Sequence, residues 1–326
     1  MKGRLVDPAR LRLLRELGDR GSVAAVAAAM HVSASAVSQQ LAVLQAQVAV
    51  PLTVKRGRRL VLTDAGEALA VAATRVEVAL AEARDAVGSF LGHDAQPVRV
   101  SAFHSAGLAL FGPLLAELGA APGPRVSLAD ADVAQSEFAR LTADHDLIVA
   151  HRLPHEPEWP AGRLVVVPLL VEPLDIALHA GHPLAAAPVI RPEQLRDERW
   201  ISTHEGFPLT GVLAQLGALI GRAPQVDHRI NEFSVAAQVV RAGAAVAVMP
   251  RMTAAPLAVD GMVLRPLVGA ALVRHVDVLA RPDAMARLPV RRVLDALRRV
   301  ASAAAESAGG QAPVPAGGTG SDRPEG

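Results

Sequence analysis

Ser35, Ser38 and Gln39 lie within one short stretch, and Lys55, Arg56, Arg58 and Arg59 follow as four cations in five positions. The side-chain amide of Gln pairs with the major-groove edge of adenine, a Ser hydroxyl serves either base type, and Lys and Arg neutralise phosphates. Together these residue types suit the reading of duplex DNA. The charge is distributed accordingly. Residues 1–66 hold ten Lys and Arg against four Asp and Glu, whereas the whole chain of 326 residues carries a formal charge of only +1. The cations are concentrated in the segment where nucleic acid would need them. A charge run is also what a solvated face looks like, so the elements that carry it matter.

Leu5, Leu11, Leu14 and Leu17, with arginines between them, predict a first helix that supports the others from behind. Ser22, after Gly21 and before a run of Ala and Val, is a candidate N-cap for a second helix to about Met30. Its small side chains allow close crossing. Ser33 is the next candidate cap. On the helix that it opens, Val37, Leu41 and Leu44 form one apolar stripe, while Ser35 and Gln39 point directly away from it. Ordinary helix pairs in small bundles share this pattern; the basic run sets this one apart. Arg58 to Leu62 reads as a short strand, with Lys55, Arg56 and Gly57 as the turn of a hairpin beside it. An Ala-rich stretch without Pro then runs from Asp64 to about Leu91. In it Leu69, Ala72, Val76, Leu80, Ala83 and Val87 fall at threes and fours, which predicts one long helix. Residues 92–97 are polar and form the expected domain boundary.

From Leu11 to Gly66 the sequence resembles the DNA-binding domain of LysR-type transcriptional regulators. The resemblance rests on Gly21-Ser22, Ala28, Val32-Ser33, Ala36-Val37-Ser38, Leu41, Leu44, Pro51-Leu52, Arg56 and Leu62-Thr63-Asp64-Ala65-Gly66, in that order. The chain departs from the family pattern at Gln45, usually acidic, at Ala49, usually Gly, at Thr53, usually aromatic, and at Gln39, often Arg. The resemblance implies a winged helix-turn-helix over residues 1–66. Its contacts with double-stranded promoter DNA would come from Ser33, Ser35, Ala36, Ser38, Gln39, Lys55, Arg56, Arg58, Arg59 and Thr63. A linker helix over 67–92 would pair two chains antiparallel, as palindromic operators require. A tetramer built from two dimers and contact with RNA polymerase belong to the same expectation.

From Val98 the pattern changes to strands alternating with helices. Expected strands include 98–103, 125–129, 146–150, 164–171, 175–178 and 273–280, with a last helix over 290–305. Such alternation gives open, mostly parallel sheets with helices on both faces, and 97–301 has room for two subdomains. Ligands of such sheets bind beyond the carboxyl ends of strands, where helix N-termini supply amide donors. That rule selects Phe103, His104, Ser105, Asp130, His151, Arg152, Ser202, Thr203 and His204, with Asn231, Glu232 and Phe233 ahead of a later helix. Acids beside bases suit a polar or amphoteric small molecule, although Ser and Thr at such places also serve as plain caps. Asp146-Leu147-Ile148-Val149, Gly181-His182-Pro183-Leu184 and the segment Val239 to Pro250 resemble the effector domain of the same family, itself similar to periplasmic solute-binding proteins. This implies chain crossings near Val171 and Pro266 and an effector in the cleft between subdomains.

The chain has no Cys, which excludes disulfides and thiolate chemistry. It has no phosphate-cradling glycine loop with Lys-Ser/Thr, no Gly-x-Ser-x-Gly and no His-Glu-x-x-His, and no cofactor is expected. His151 with His155, and His179 with His182, have spacings a metal could use, but both pairs lie among prolines in expected loops. The N-terminus lacks an apolar signal region and no apolar run reaches the length of a membrane span, which predicts a soluble, cytoplasmic protein. Residues 302–326, rich in Ser, Ala, Gly and Pro, read as a disordered tail. The expectation is an α/β chain with an all-α winged helix-turn-helix at its N-terminus: a sequence-specific transcriptional regulator under small-molecule control, and not an enzyme. A solute-binding module using its N-terminal helices only for oligomerisation is the alternative, and a transferase-like α/β enzyme a second.

Overall fold

The computed structural model describes residues 7–308 except 58, 92–96, 121–122, 161, 208, 259 and 270–271. Arg58, the boundary segment 92–96 and the tail beyond 308 therefore lie outside the described residues. Helix α1 (Pro8–Arg20) starts at Asp7, whose carboxylate accepts from the Ala9 amide at 2.9 Å. It stops at Gly21, whose φ of +71° is the left-handed conformation that glycine adopts without penalty. Ser22 and Ser33 cap α2 (Val23–Met30) and α3 (Ala34–Gln45), accepting from Ala25 N and Ala36 N at 3.1 Å. Val37, Leu41 and Leu44 are buried against Leu14, Leu17, Val26 and Leu52. Strands β1 (Thr53–Arg56) and β2 (Arg59–Leu62) form the antiparallel wing. Lys55 and Arg56 thus belong to a strand and not to the turn, because their register partners Leu60 and Arg59 extend the ladder to its end.

Helix α4 (Asp64–Leu91) follows as one 28-residue element. Within the chain it buries Ala70, Ala73, Thr74, Glu77 and Ala81, mainly against α1. The stripe expected from the periodicity lies on another face. Leu69, Ala72, Val76 and Leu80 are half-buried, and Ala83 and Val87 are exposed.

The C-terminal half contains β3 (Val98–Ala102), α5 (His104–Gly119), β4 (Val126–Asp130), α6 (Phe138–Leu141), β5 (Leu147–Arg152), β6 (Val165–His179) and β7 (Arg199–Ser202). It continues with α7 (Thr210–Ile220), β8 (Gln225–Arg229), α8 (Phe233–Arg241), β9 (Val246–Pro250), β10 (Met262–Arg265), β11 (Val273–Ala280), α9 (Pro282–Met285) and α10 (Leu288–Ser307). The strand order is β4-β3-β5-β11-β6-β9-β7-β8, with β10 on β6. Two subdomains share this ladder, and β6 serves both. Pairs around β3 and β7 are parallel, whereas β6 and β11 run antiparallel to their neighbours, so the sheets are mixed and not mostly parallel.

The two strands expected at 164–171 and 175–178 are one 15-residue strand. Its prolines do not break it. Pro168 faces the register shift at Asp277, and Pro173 falls where β6 exchanges β11 for β9, so neither removes an amide from a regular ladder. The second crossing lies between β10 and β11. Helix α10 packs its buried Val293, Leu294, Leu297 and Val300 into the core of the first subdomain and extends to Ser307. Residues 302–307 are therefore helical and not part of a tail. Among the described residues no helix is long and apolar enough to cross a membrane.

Candidate DNA interface and effector cleft

Opposite the buried stripe of α3, Ser35 and Gln39 are exposed, with Ser38 exposed at the edge and Ala36 half-buried. Gln40, one position on, instead accepts from Arg10 Nε at 2.9 Å and fastens α3 to α1. The Ser33 hydroxyl is engaged in its cap and with Ser35 Oγ at 2.9 Å. Thr63 Oγ1 donates to Pro51 O at 2.6 Å and accepts from Gly66 N at 3.1 Å, which locks the wing onto the start of α4. Gln45 Oε1 accepts from Leu52 N at 2.7 Å while its Nε2 donates to Val50 O at 2.9 Å. A carboxylate in that place could only accept, so the Gln fixes the hinge before the wing from both ends. Lys55, Arg56 and Arg59 extend from the wing as exposed side chains.

The cleft between the two subdomains is lined by Phe103, His104, Ser105, His151, Thr203, Asn231, Glu232 and Phe233, all selected from the sequence. Asp132, Phe207, Leu209 and Arg274 complete the lining and were not anticipated. Asp130 stands at the rim, where its Oδ2 lies 2.6 Å from His104 Nε2. His104 Nδ1 lies 3.2 Å from Glu232 Oε2, so one imidazole at the start of α5 stands between an acid of each subdomain. The cleft opens to solvent, and the space within it is about 20 Å³, room for about one water. Besides Asp130, three expected residues are not in the lining. Arg152 follows His151 on β5 and so faces the other side of the sheet, where its Nε lies 3.5 Å from Asp277. Ser202 is buried at the end of β7, and His204 is exposed, with its backbone amide donating to Asn231 Oδ1 at 2.8 Å.

A buried ion pair forms the floor. Arg274 Nε donates to Glu172 Oε2 at 2.8 Å, and Arg274 Nη2 donates to Thr253 Oγ1 at 2.6 Å and Ser105 Oγ at 3.2 Å. Glu172 Oε1 also accepts from the amides of Met252 and Thr253 at 2.9 and 2.6 Å. The guanidinium carbon lies 4.7 Å from the centre of the Phe103 ring. His151 packs edge-on to Phe103 and Phe138, with ring centres 4.4 and 5.7 Å away. Burial, and then the Arg274 charge, hold its imidazole well below the ordinary 6.5. Burial pushes the Asp132 carboxyl up, against the opposing pull of His104.

Because His151 stays neutral in the fold, the unfolded chain takes up the proton as pH falls through 6.5. Its contribution to stability is thus complete above that value and is lost below it, at up to about 1.4 kcal/mol per pH unit. Urea unfolding between pH 7.5 and about 5 should show this slope, and His151→Leu should flatten it. An identical slope in the variant would show that His151 has no part in it.

The histidine pairs with metal-like spacing have other engagements. His155 Nδ1 lies 2.7 Å from Gln215 Nε2, His179 Nδ1 accepts from Gly181 N, and His182 lies 3.2 Å from Glu198. Among the described residues no group of three or more His, Asp or Glu could hold a metal ion.

A helix-turn-helix with a basic wing, joined by a long helix to a two-subdomain α/β unit with a cleft, defines the class of ligand-responsive DNA-binding regulators. Residues 8–67 match the family model of the bacterial regulatory helix-turn-helix protein, lysR family, and residues 92–302 match that of the LysR substrate binding domain. The chain belongs to the LysR family and is a DNA-binding transcriptional regulator with an effector-binding domain. The small neutral protease regulatory protein of Streptomyces coelicolor is 31% identical over 271 residues, covering 79% of this chain and 81% of that one. The HTH-type transcriptional regulator GbpR of Rhizobium radiobacter is 27% identical over 60% of this chain and 65% of its own length, just under two thirds. A full-length OxyR variant from Pseudomonas aeruginosa shares the fold with a TM-score of 0.61 at 20% identity, over 91% of this chain and 95% of that one. Full-length CbnR in complex with its target DNA gives 0.51 at 21% identity, over 90% and 99%. The reading as a solute-binding module with helices for oligomerisation alone gives way to this membership.

Proposed function

We propose that the chain reads a promoter with α3 and the wing, and that a small polar effector bound between the subdomains controls this reading. Transcription, and not turnover of the effector, is the output, exerted in the cytoplasm. The observation that carries the proposal is the two-sidedness of α3: Val37, Leu41 and Leu44 are buried, Ser35 and Gln39 are exposed on the opposite side with Ser38 at the edge, and an exposed cationic wing follows in the same domain. Gln39 and the two serines would meet base edges, with Ser33, Ala36 and Thr63 at the margins of the contact. Lys55, Arg56, Arg58 and Arg59 would meet phosphates or the adjoining minor groove. A second copy would pair along α4, whose Leu69, Ala72, Val76, Leu80, Ala83 and Val87 face is the one that the chain's own packing leaves partly or fully open. Pairs of such dimers and RNA polymerase would complete the assembly.

In the cleft, His104 stands between Asp130 and Glu232, and an effector much larger than a water would move that side chain or spread the subdomains. Phe103, Ser105, His151, Thr203 and Phe233 would then meet the effector, with Arg152, Ser202 and His204 outside its first contacts.

The test is binding to DNA upstream of the chain's own coding region, titrated with salt. Arg56→Ala should weaken binding to all sequences and reduce the salt slope by about one unit. Gln39→Ala should cost about 1–3 kcal/mol of preference for the specific site while leaving nonspecific binding intact. Wild-type binding without sequence preference or salt sensitivity would overturn the groove assignment.

A further inference from the structure

Away from the cleft, a larger cavity of about 280 Å³ lies where α1 and α4 of the reader meet α6, the segment before β6, and α9 of the effector half. Its charged lining is Arg15, Arg140, Arg163 and Arg281 with Asp19 and Asp283, and Glu16 and Glu67 pair with the same arginines from outside the lining. Between them lie small apolar surfaces such as Ala70, Ala139 and Leu164.

The arginines are held in place before any ligand arrives. Arg15 reaches Asp283 and Glu16 at 3.0 and 3.1 Å, and Arg281 reaches Glu16 at 3.0 Å. Arg163 pairs with Asp19 at 3.4 Å and with Glu67. Burial opposes the charges of Arg15 and Glu16, yet their partners outweigh it and hold both ionised. Donors nevertheless remain unused. Arg15 Nε and Arg281 Nε are buried without a hydrogen-bond partner, and the exposed Arg140 side chain has no partner among the described residues. A buried guanidinium N–H left unpaired is costly, and charge-assisted bonds to carboxylate or phosphate are the strong way to satisfy it. Burial also pushes the Asp19 carboxyl up, which lessens its repulsion of an incoming anion.

We propose that this cavity is a second ligand site, taking a compact organic dianion whose charged ends meet Arg140 and the free Nε–H groups of Arg15 and Arg281. The cavity is larger than the roughly 150 Å³ that takes a benzene, which leaves room for a short carbon skeleton. Because the walls come from both halves of the chain, an occupant would favour the arrangement in which they are clamped. By linkage, operator binding and anion binding then alter each other.

Calorimetric titration of the full-length protein with succinate, glycerol 3-phosphate, inorganic phosphate and uncharged glycerol tests this. At least one of the two organic dianions should bind saturably, one per chain, and glycerol should not. A phosphoryl-only requirement would show as binding by both phosphates and not by succinate. Arg140→Ala, whose side chain supports no other residue, should melt with the wild type and bind the dianion about tenfold or more weakly. The cleft variant Glu232→Gln should bind it unchanged. The dianion should also shift operator affinity in the wild type and not in Arg140→Ala. Absence of saturable binding by either organic dianion, binding indifferent to Arg140→Ala, or binding lost in Glu232→Gln would each overturn the proposal.

Discussion

Glu172→Gln is expected to lower the stability of the effector half by about 3–5 kcal/mol, a large part of what a domain possesses. Glu172 and Arg274 are 0% and 1% exposed, so neither charge has water to fall back on. The variant keeps an oxygen for the amides of Met252 and Thr253 but leaves the guanidinium charged, buried and unneutralised beside Ser105, Thr253 and the Phe103 ring. The loss would be larger than for a surface pair, which contributes about 0–1 kcal/mol. Adding Arg274→Met removes the stranded charge and fills its volume, so the double variant should recover more than half of the loss. Urea denaturation of the four members of this cycle provides the measurement. A Glu172→Gln variant within about 1 kcal/mol of the wild type would show that the pair is not dry. Because Arg274 and Ser105 also line the cleft, the single variant should lose effector response before it loses the fold.

Why Arg274 escaped the sequence reading is instructive. Strand-end positions can be picked out from hydrophobic runs and the caps that follow them, and Phe103, His104, Thr203 and Glu232, selected in this way, do line the cleft. Arg274 lies near the start of β11, opposite Glu172 of β6, and reaches the cleft floor from there, a placement that depends on strand order. A signal was present all the same: Glu172 and Arg274 each interrupt a strand otherwise rich in Val and Leu, and two opposite charges at such places point to a buried pair. The reader was more legible because its determinants are local. Ser22 and Ser33 cap the helices that they precede, and the Val37–Leu41–Leu44 spacing names its own buried face. The wing turn was misplaced by two residues, since a Lys-Arg-Gly run carries no periodicity to distinguish strand from turn. In α4 the same periodicity fits two faces. Ala70, Ala73 and Ala81 are small enough to pack closely within the chain, where α4 meets α1 and α9, and the larger Leu and Val positions lie on the face left open.

The second large effect is expected at Gly66. A Cβ built there would stand 2.0 Å from Leu52 O and 3.0 Å from Leu52 C, far inside contact distance, and both atoms are backbone. Nothing nearby can yield as a side chain would. Leu52 O is itself fixed, accepting from Thr63 N at 3.0 Å, while Leu52 N donates to Gln45 and the Leu52 side chain is buried with Leu41 and Leu44. Gly66→Ala must therefore push the base of the wing away from α4, at a cost of about 3 kcal/mol or more. The displaced strands carry Lys55, Arg56 and Arg59, so operator affinity should fall further than any single wing-arginine substitution lowers it. Effector binding at the proposed cleft, which no residue of the reader lines, should persist in the same variant. Operator titration and effector calorimetry on one preparation separate the two readouts. Wild-type operator affinity in Gly66→Ala would mean that the wing can move without consequence, and the close seat of Leu52 on α4 would then have no part in reading DNA.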